Sequence, residues 1–213
     1  MGAKTWMLVL GPADLKDRLA GYPGLDRDAS AAAAARHFPK AKLEPLEDGS
    51  LTWTCPPDDE IHIGVFAGVT VLAAKEFGID YPSKLASSFV NGSEIAILHA
   101  MHSVVDWFGY ARWHQGVLQR ALSVSPDDGV LEDIGARADF EEPYWNGTHP
   151  AVDPEDEDDE MPYPLPFHPL ELGEEALRAC FGYQLEGFVN PDLLDTDRFK
   201  LLRFKRKKSL FGL

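Results

Sequence analysis

The chain has 213 residues, of which 45% are apolar and 26% are charged, and its formal net charge at pH 7 is −15. This length and apolar content suit one domain with a buried core, while the acidity excludes nucleic acid or anionic lipid as a partner of the whole body. The N-terminal apolar run is too short for a signal peptide, and no window approaches the ~20 apolar residues of a membrane span. We therefore predict a cytoplasmic protein.

The first half of the chain predicts a buried strand, two helices and then a series of short strands. Residues 3–10 are almost wholly apolar and lead into a helix at 12–19. The alanine-rich segment 28–38 is a second helix, which Asp26 can cap and which Pro39 ends. Tight turns separate the following segments and favour antiparallel pairing. These segments are strands at 42–46, 51–54, 61–67 and 69–75, and a short helix at 81–89.

The second half predicts a strand, a long hairpin and a final helix. Residues 93–101 form an apolar strand, and 103–113 pairs with 117–125 through a glycine-containing turn. A second turn follows at 125–129. Residues 153–160 hold seven carboxylates in eight positions, which predicts a solvated loop. The last helix, 171–181, has early acids and a following Gly182.

These elements predict the α+β class, with a mostly antiparallel mixed sheet, helices packed on at least one face and the hairpin near the centre. Residues 1–190 form one domain, and residues 191–213 form a basic C-terminal tail. The charge is divided unequally, since residues 1–197 carry −22 and residues 198–213 carry +7. Cys55 and Cys180 fit neither a disulfide framework nor a metal-binding spacing.

The basic tail interleaves cations with bulky apolar residues and is a candidate docking segment for a protein partner. It could instead bind RNA phosphates or an anionic membrane, or fold back onto the protein's own acidic surface. The candidate residues of the tail are Arg198, Lys200, Arg203, Phe204, Lys205, Arg206, Lys207 and Lys208.

Histidines and acids around residue 100 are the candidates for a metal site. On a helix, His99, His102 and Asp106 would share one face, whereas on a strand His99 would point away from the other two. The neighbouring valines and aromatic residues favour a strand, and hence histidines with a structural role. His149 and His168 could complete a shell in the alternative, a metal-dependent hydrolase with a divalent cation. Glu132 or Asp133 would then be the base.

Aromatic residues form a second candidate site. Trp107 and Trp113 share one parity on the predicted strand, and Tyr144 and Trp145 follow further along the chain. These residues belong either to a core strand covered on both faces or to a groove that holds a partner. No nucleophile elbow and no phosphate-binding loop is present, so no cofactor is implied by motif. A non-enzymatic binding or regulatory protein with a protein partner is therefore the favoured hypothesis.

Several segments of the sequence resemble a family of uncharacterised actinobacterial proteins. The resemblance covers most of the chain up to about Gly187. Because that family has no assigned reaction, the resemblance implies no catalytic roles. The segments are LHAMHSVVDWF at 98–108, SPDDG at 125–129, EDIG at 132–135, PYW at 143–145 and YPLPFHPLELG at 163–173.

Overall fold

A computed structural model describes residues 2–152, 163–187 and 190–208. Within these residues a ten-stranded antiparallel sheet is combined with five helices, in agreement with the α+β class. The strands are β1 (Lys4–Gly11), β2 (Ala41–Pro45), β3 (Gly49–Ser50), β4 (Glu60–Phe66), β5 (Val69–Ala73), β6 (Ile95–His102), β7 (Trp107–His114), β8 (Val117–Ser125), β9 (Gly129–Gly135) and β10 (Lys200–Lys208). The helices are α1 (Leu15–Ala20), α2 (Arg27–His37), α3 (Ser87–Val90), α4 (Glu142–Trp145) and α5 (Pro169–Phe181).

The strand order is β2-β10-β4-β5-β1-β6-β7-β8-β9, and β3 pairs with β10. The first strand of the chain is therefore central, as the continuous apolar run at 3–10 predicts. The predicted hairpin is also formed, but it lies towards the β9 edge of the sheet and not near its centre, because β10 and four other strands extend the sheet on the far side of β6. Strands β7 and β8 pair through Gln115 and Gly116, whose φ angles of 49° and 78° are both positive. Two positive φ angles at these positions match the twist of a two-residue hairpin.

Each face of the sheet carries its own apolar core. Met7 and Val9 of β1 lie in one core with residues of α1 and α5, whereas Leu8 and Leu10 lie in the other with Ala33 and Ala34 of α2. Alternate residues of one strand thus enter different cores. We refer to these as the α5 face and the α2 face. No helix within the described residues is long and apolar enough to cross a membrane.

Local capping explains where the two longer helices begin and end. Asp26 accepts a hydrogen bond from the Ala29 amide at 2.9 Å at the start of α2. At the start of α5, Nδ1 of His168 accepts one from the Leu170 amide at 3.3 Å. Gly182 ends α5 with a φ of 85°, a conformation that glycine adopts without strain.

The structure corrects three boundaries. Residues 51–54 do not form a strand of their own, because pairing with β10 stops at β3 and Thr54 makes one isolated bridge to Thr5. Residues 103–106 form a turn before β7. The helix expected at 81–89 is divided into a 3-10 turn, Pro82–Lys84, and α3.

The largest correction concerns the basic tail at 191–213. Its central part is strand β10, which lies inside the sheet between β2 and β4. Leu202 and Phe204 are buried in the core of the α2 face, so this part of the chain belongs to the domain. The acidic segment 153–160 and the chain end at 209–213 lie outside the described residues.

Candidate functional site

His99 is a buried structural residue on the α5 face. Its side chain is fully buried. Nε2 donates to the carbonyl oxygen of Gly173 at 2.9 Å, and Nδ1 therefore accepts from the Thr5 hydroxyl at 2.7 Å. Burial lowers the pKa of His99 to about 4. Both ring nitrogens are occupied by the protein, which leaves neither for a metal ion.

The remaining metal candidates do not converge with His99. His102 lies on the α2 face, while Asp106 occupies the turn after β6 and approaches His168, with 3.7 Å between Oδ2 and Nε2. His149 stacks on Tyr144 elsewhere, at 4.7 Å between ring centroids. Among the residues that the structure describes, no three His, Cys, Asp or Glu side chains are grouped to hold a metal ion.

Most of the candidate aromatic residues lie in the core, in agreement with the first of the two alternatives given above. Trp107 and Trp113 are buried on the α2 face, and Nε1 of Trp107 donates to the Ser123 hydroxyl at 2.9 Å. Tyr144 is buried as well, and Trp145 packs edge-to-face on Phe167. The sheet is covered on both faces over most of these residues, and of the four only Trp107 lines the cleft described below.

The cations of β10 pair with acids of the same domain. Its exposed side chains alternate with Leu202 and Phe204, and the neighbouring strands and loops supply carboxylates at ion-pair distance. The pairs are Arg203 with Glu60 at 2.9 Å, Lys205 with Asp59 at 3.1 Å, Lys207 with Glu44 at 2.6 Å, and Arg206 with Glu76. Folding back onto the protein's own acids is therefore the observed arrangement.

The other residues of the predicted docking segment have different surroundings. The Arg198 guanidinium lies over the Tyr22 ring, 3.7 Å from its centroid. Lys200 is exposed at the start of β10, where its backbone pairs with Ser50. Lys208 is the last residue of β10, and its backbone pairs with Ala41. These contacts place the segment in the domain and leave no free docking tail within the described residues.

A cleft on the α2 face brings together residues that sequence reasoning treated separately. Its volume is about 520 Å³, and it lies where β6 ends and β7 begins, next to the turn between β8 and β9. We call it the acidic cleft. Its lining residues are Trp6, Gly78, Asp80, Tyr81, His102, Val105, Trp107, Ser125, Asp127, Asp128 and Leu131.

The three carboxylates of the acidic cleft have no cation partner among the described residues. Asp128 accepts from the Ser125 hydroxyl at 3.2 Å, and its amide donates back to the same oxygen at 3.1 Å, which fixes the turn. Asp80 and Asp127 are exposed, and their side chains make no hydrogen bond or ion pair with another described residue. The carboxylates are thus available to a ligand.

His102 contributes a neutral imidazole to the wall of the acidic cleft. Burial, together with the nearby Lys4 ammonium, lowers the pKa of His102. Its Nδ1 atom is buried and has no hydrogen-bond partner among the described residues. Trp6, Tyr81 and Trp107 supply the aromatic part of the wall. The arrangement joins negative charge to π surfaces, which is the chemistry that recognises an organic cation.

The sequence contains the parts of this cleft but no signal that they meet. The turn at 125–129 was predicted, and Asp80 was placed just before a helix. Residues 6, 80, 102 and 127 are brought together by the sheet, in which β1 pairs with β6 and β6 with β7. A turn composition identifies Asp127 as exposed, but it carries no information about its neighbours in space.

The fold and the cleft define an antiparallel α+β protein with a ligand-sized acidic cleft and no metal cluster within its described residues. The chain belongs to the family of unknown function DUF6928, which it matches over residues 5–204. The matched region extends into β10 and includes every strand of the sheet. No curated protein and no solved structure matches the chain.

Proposed function

We propose that the chain is a non-enzymatic cytoplasmic binding protein whose acidic cleft receives a lysine or arginine side chain from a protein partner. The observation that carries this proposal is the presence of three carboxylates without a described cation partner between aromatic walls. A desolvated cation is stabilised both by charge-assisted hydrogen bonds to nearby carboxylates and by cation–π attraction to the ring faces.

The rim of the acidic cleft supports a peptide rather than a free cation as the ligand. Tyr81, Val104 and Val105 are 49%, 72% and 48% exposed, respectively, and all three border or adjoin the cleft. Neighbouring exposed apolar side chains that are bordered by polar groups are found at sites that contact a second protein. Residues flanking the partner's basic side chain would cover this rim.

The overall charge supports the same kind of partner. The chain carries −15, and four cations of β10, Arg203, Lys205, Arg206 and Lys207, are already paired with carboxylates of the domain. Long-range attraction therefore favours a basic partner and increases its association rate. The basic residues are thus supplied by the partner, whereas the sequence alone predicted that a basic tail of this chain docks on another protein.

The proposal is tested by calorimetric titration with short peptides of the form Ala-Ala-Lys-Ala-Lys-Ala and the matching glutamate peptide. The native protein should bind the lysine peptide and not the glutamate peptide. The triple variant D80N/D127N/D128N should bind the lysine peptide at least about tenfold more weakly, because it removes the cleft carboxylates.

A matched control separates the cleft from bulk charge. The variant D17N/D28N/D192N makes the same change in net charge at exposed aspartates outside the acidic cleft. It should retain most of the affinity at 150 mM salt, where distant charges are screened. Equal losses in the two triple variants, or no binding of the lysine peptide by native protein, would contradict the proposal.

A further inference from the structure

A second cleft lies on the opposite face of the same strands and, unlike the acidic cleft, is lined by arginine and lysine side chains as well as carboxylates. Its volume is about 650 Å³, within the usual range of small-molecule sites. We call it the cationic cleft. Residues of β6, β7 and β8 form its floor, and the loop after β9, α1 and α5 form its walls. The functional groups that line it include Lys16, Tyr110, Arg112, Arg120, Arg137 and Cys180.

Two arginines face each other across the floor of the cationic cleft. Arg112 of β7 and Arg120 of β8 are register partners. Like charges directly opposite each other on neighbouring strands destabilise a sheet unless other groups compensate them. The protein compensates Arg120 with two carboxylates, since Glu141 binds it at 2.9 and 2.6 Å and Asp133 also contacts it.

Arg112 differs from Arg120 in having no such compensation. Its side chain is exposed, and it makes no ion pair with any other described residue. Its backbone is the register partner of Arg120, and its side chain lines the cleft. A free planar cation in that position is suited to bidentate binding of a carboxylate or phosphate.

Lys16 and Arg137 are two further cations that line the cleft. Lys16 Nζ donates to the Ala179 carbonyl at 3.1 Å, next to Cys180. Burial raises the pKa of the Cys180 thiol to about 11, against smaller lowering effects of its Tyr110 contact and of the Arg112 and Lys16 cations. Lys16, Arg112 and Cys180 all line the cleft. Across the cleft, the Arg137 guanidinium lies 4.1 Å from the centroid of the Trp145 ring.

Acidic residues restrict the anion to one part of the cleft. Asp14, Asp17 and Asp139 also line it, and Asp14 is paired with Arg18 at 2.9 Å. An anion is repelled by these carboxylates and attracted by the unpaired Arg112 guanidinium. Cations and carboxylates both line the cleft, so an anion is expected next to Arg112.

Apolar side chains provide room for more than an inorganic ion. Leu15, Ile95, Ile97 and Phe140 line the cleft, and the Tyr110 ring packs edge-to-face on Phe140 at 5.5 Å. Ligand sites commonly combine such a wall with a few polar groups that orient the ligand. The wall could accommodate a small ring or a short alkyl chain.

We propose that the cationic cleft binds a small organic anion, whose carboxylate or phosphate pairs with Arg112 and Lys16. Its apolar part lies against Ile95, Ile97 and Phe140. This site is separate from the acidic cleft, which lies on the other face of the sheet, and its occupation does not depend on a basic protein partner.

The test is a titration of the native protein with benzoate, phenyl phosphate, inorganic phosphate and benzyl alcohol, in which nuclear magnetic resonance monitors binding. Benzoate and phenyl phosphate should shift amide resonances of β7, β8 and the loop at 136–140. Whichever of benzoate and phenyl phosphate binds more tightly shows whether the cleft prefers a carboxylate or a phosphate. Benzyl alcohol should bind at least about tenfold more weakly, because it lacks the charge.

Variants separate the two parts of the cationic cleft. R112Q should weaken the better anion at least about tenfold, whereas R36Q, which changes an exposed arginine outside this cleft, should leave it unchanged. F140A should weaken the organic anion but not inorganic phosphate. Equal affinity for benzyl alcohol and benzoate, or no effect of R112Q in a folded protein, would overturn the proposal.

Discussion

The acidic cleft and the cationic cleft lie on opposite faces of β6, β7 and β8 and differ in how their charges are balanced. In the acidic cleft, the carboxylates come from loops and turns, where water solvates them before a ligand binds. In the cationic cleft, Arg120 projects from β8, next to the edge strand β9, and is 3% exposed, so the fold must neutralise it. The comparison teaches that the pairing of a charge depends on its burial, and the unpaired groups are those that we propose contact ligands.

The largest expected effect comes from breaking the buried charge cluster of the cationic cleft. E141Q removes the fully buried partner of Arg120 and should lower the free energy of unfolding by about 3 kcal/mol. Urea denaturation measures this loss. The exposed neighbouring residue supplies the control E142Q, which should change the stability by less than about 0.5 kcal/mol.

The same variant also sharpens the difference between the clefts. Because Glu141 accepts from the Ala138 amide at 2.9 Å, it holds the loop that walls the cationic cleft. Binding of benzoate should therefore weaken in E141Q, while binding of the lysine peptide should not. A destabilisation of E141Q no larger than that of E142Q would be inconsistent with a structural role for the pair.

The next effect is the pH dependence of stability that results from the burial of His99 on the α5 face. The pKa of His99 is about 4 in the folded state, below its ordinary value of 6.5. The contribution of neutral His99 to the free energy of unfolding is complete above pH 6.5. Up to about 3 kcal/mol of it is lost as the pH falls towards 4, because the unfolded chain binds the proton more readily. H99Q lacks this titration, so the stability difference between native protein and H99Q should shrink by that amount between pH 7 and pH 4.

Stability must be compared between native protein and H99Q, because Glu174 changes the stability of both with pH in the direction opposite to His99. Burial raises the pKa of Glu174 to about 7, so its contribution falls as the pH rises through the same range. That contribution is common to native protein and H99Q and cancels in the comparison. H114Q, at an exposed histidine, serves as the control. Parallel stability curves for native protein and H99Q would show that the burial of His99 has no energetic consequence.

The smallest expected effect is that of Arg112 on stability. Because Arg112 is exposed and faces Arg120 across the strand pair, R112Q should change the free energy of unfolding by no more than about 0.5 kcal/mol, towards higher stability. Thermal denaturation at low salt provides the measurement. A loss above about 1 kcal/mol would mean that Arg112 has a structural partner, which would remove the contrast with Arg120.

The candidate site was predictable in part. The strand alternative for residues 99–106 already separated His99 from His102, and the structure confirms that separation. It also confirms the core interpretation of Trp107 and Trp113. The acidic cleft was not predictable, because Trp6, Asp80 and Asp127 come from three separate parts of the chain. The basic segment was misinterpreted because its composition is typical of a solvated tail, whereas Leu202 and Phe204 at alternate positions also suit a strand.

The sequence by itself determined the local structure: the central apolar strand, the capped helix α2, the β7–β8 hairpin and the glycine that ends α5. Each of these depends on periodicity, capping or turn chemistry within about ten residues. Only the tertiary structure decided that β10 inserts between β2 and β4, and that the acidic cleft and the cationic cleft occupy the two faces of one sheet. Contacts between residues more than 100 positions apart depend on how whole surfaces pack, and no local pattern encodes that choice.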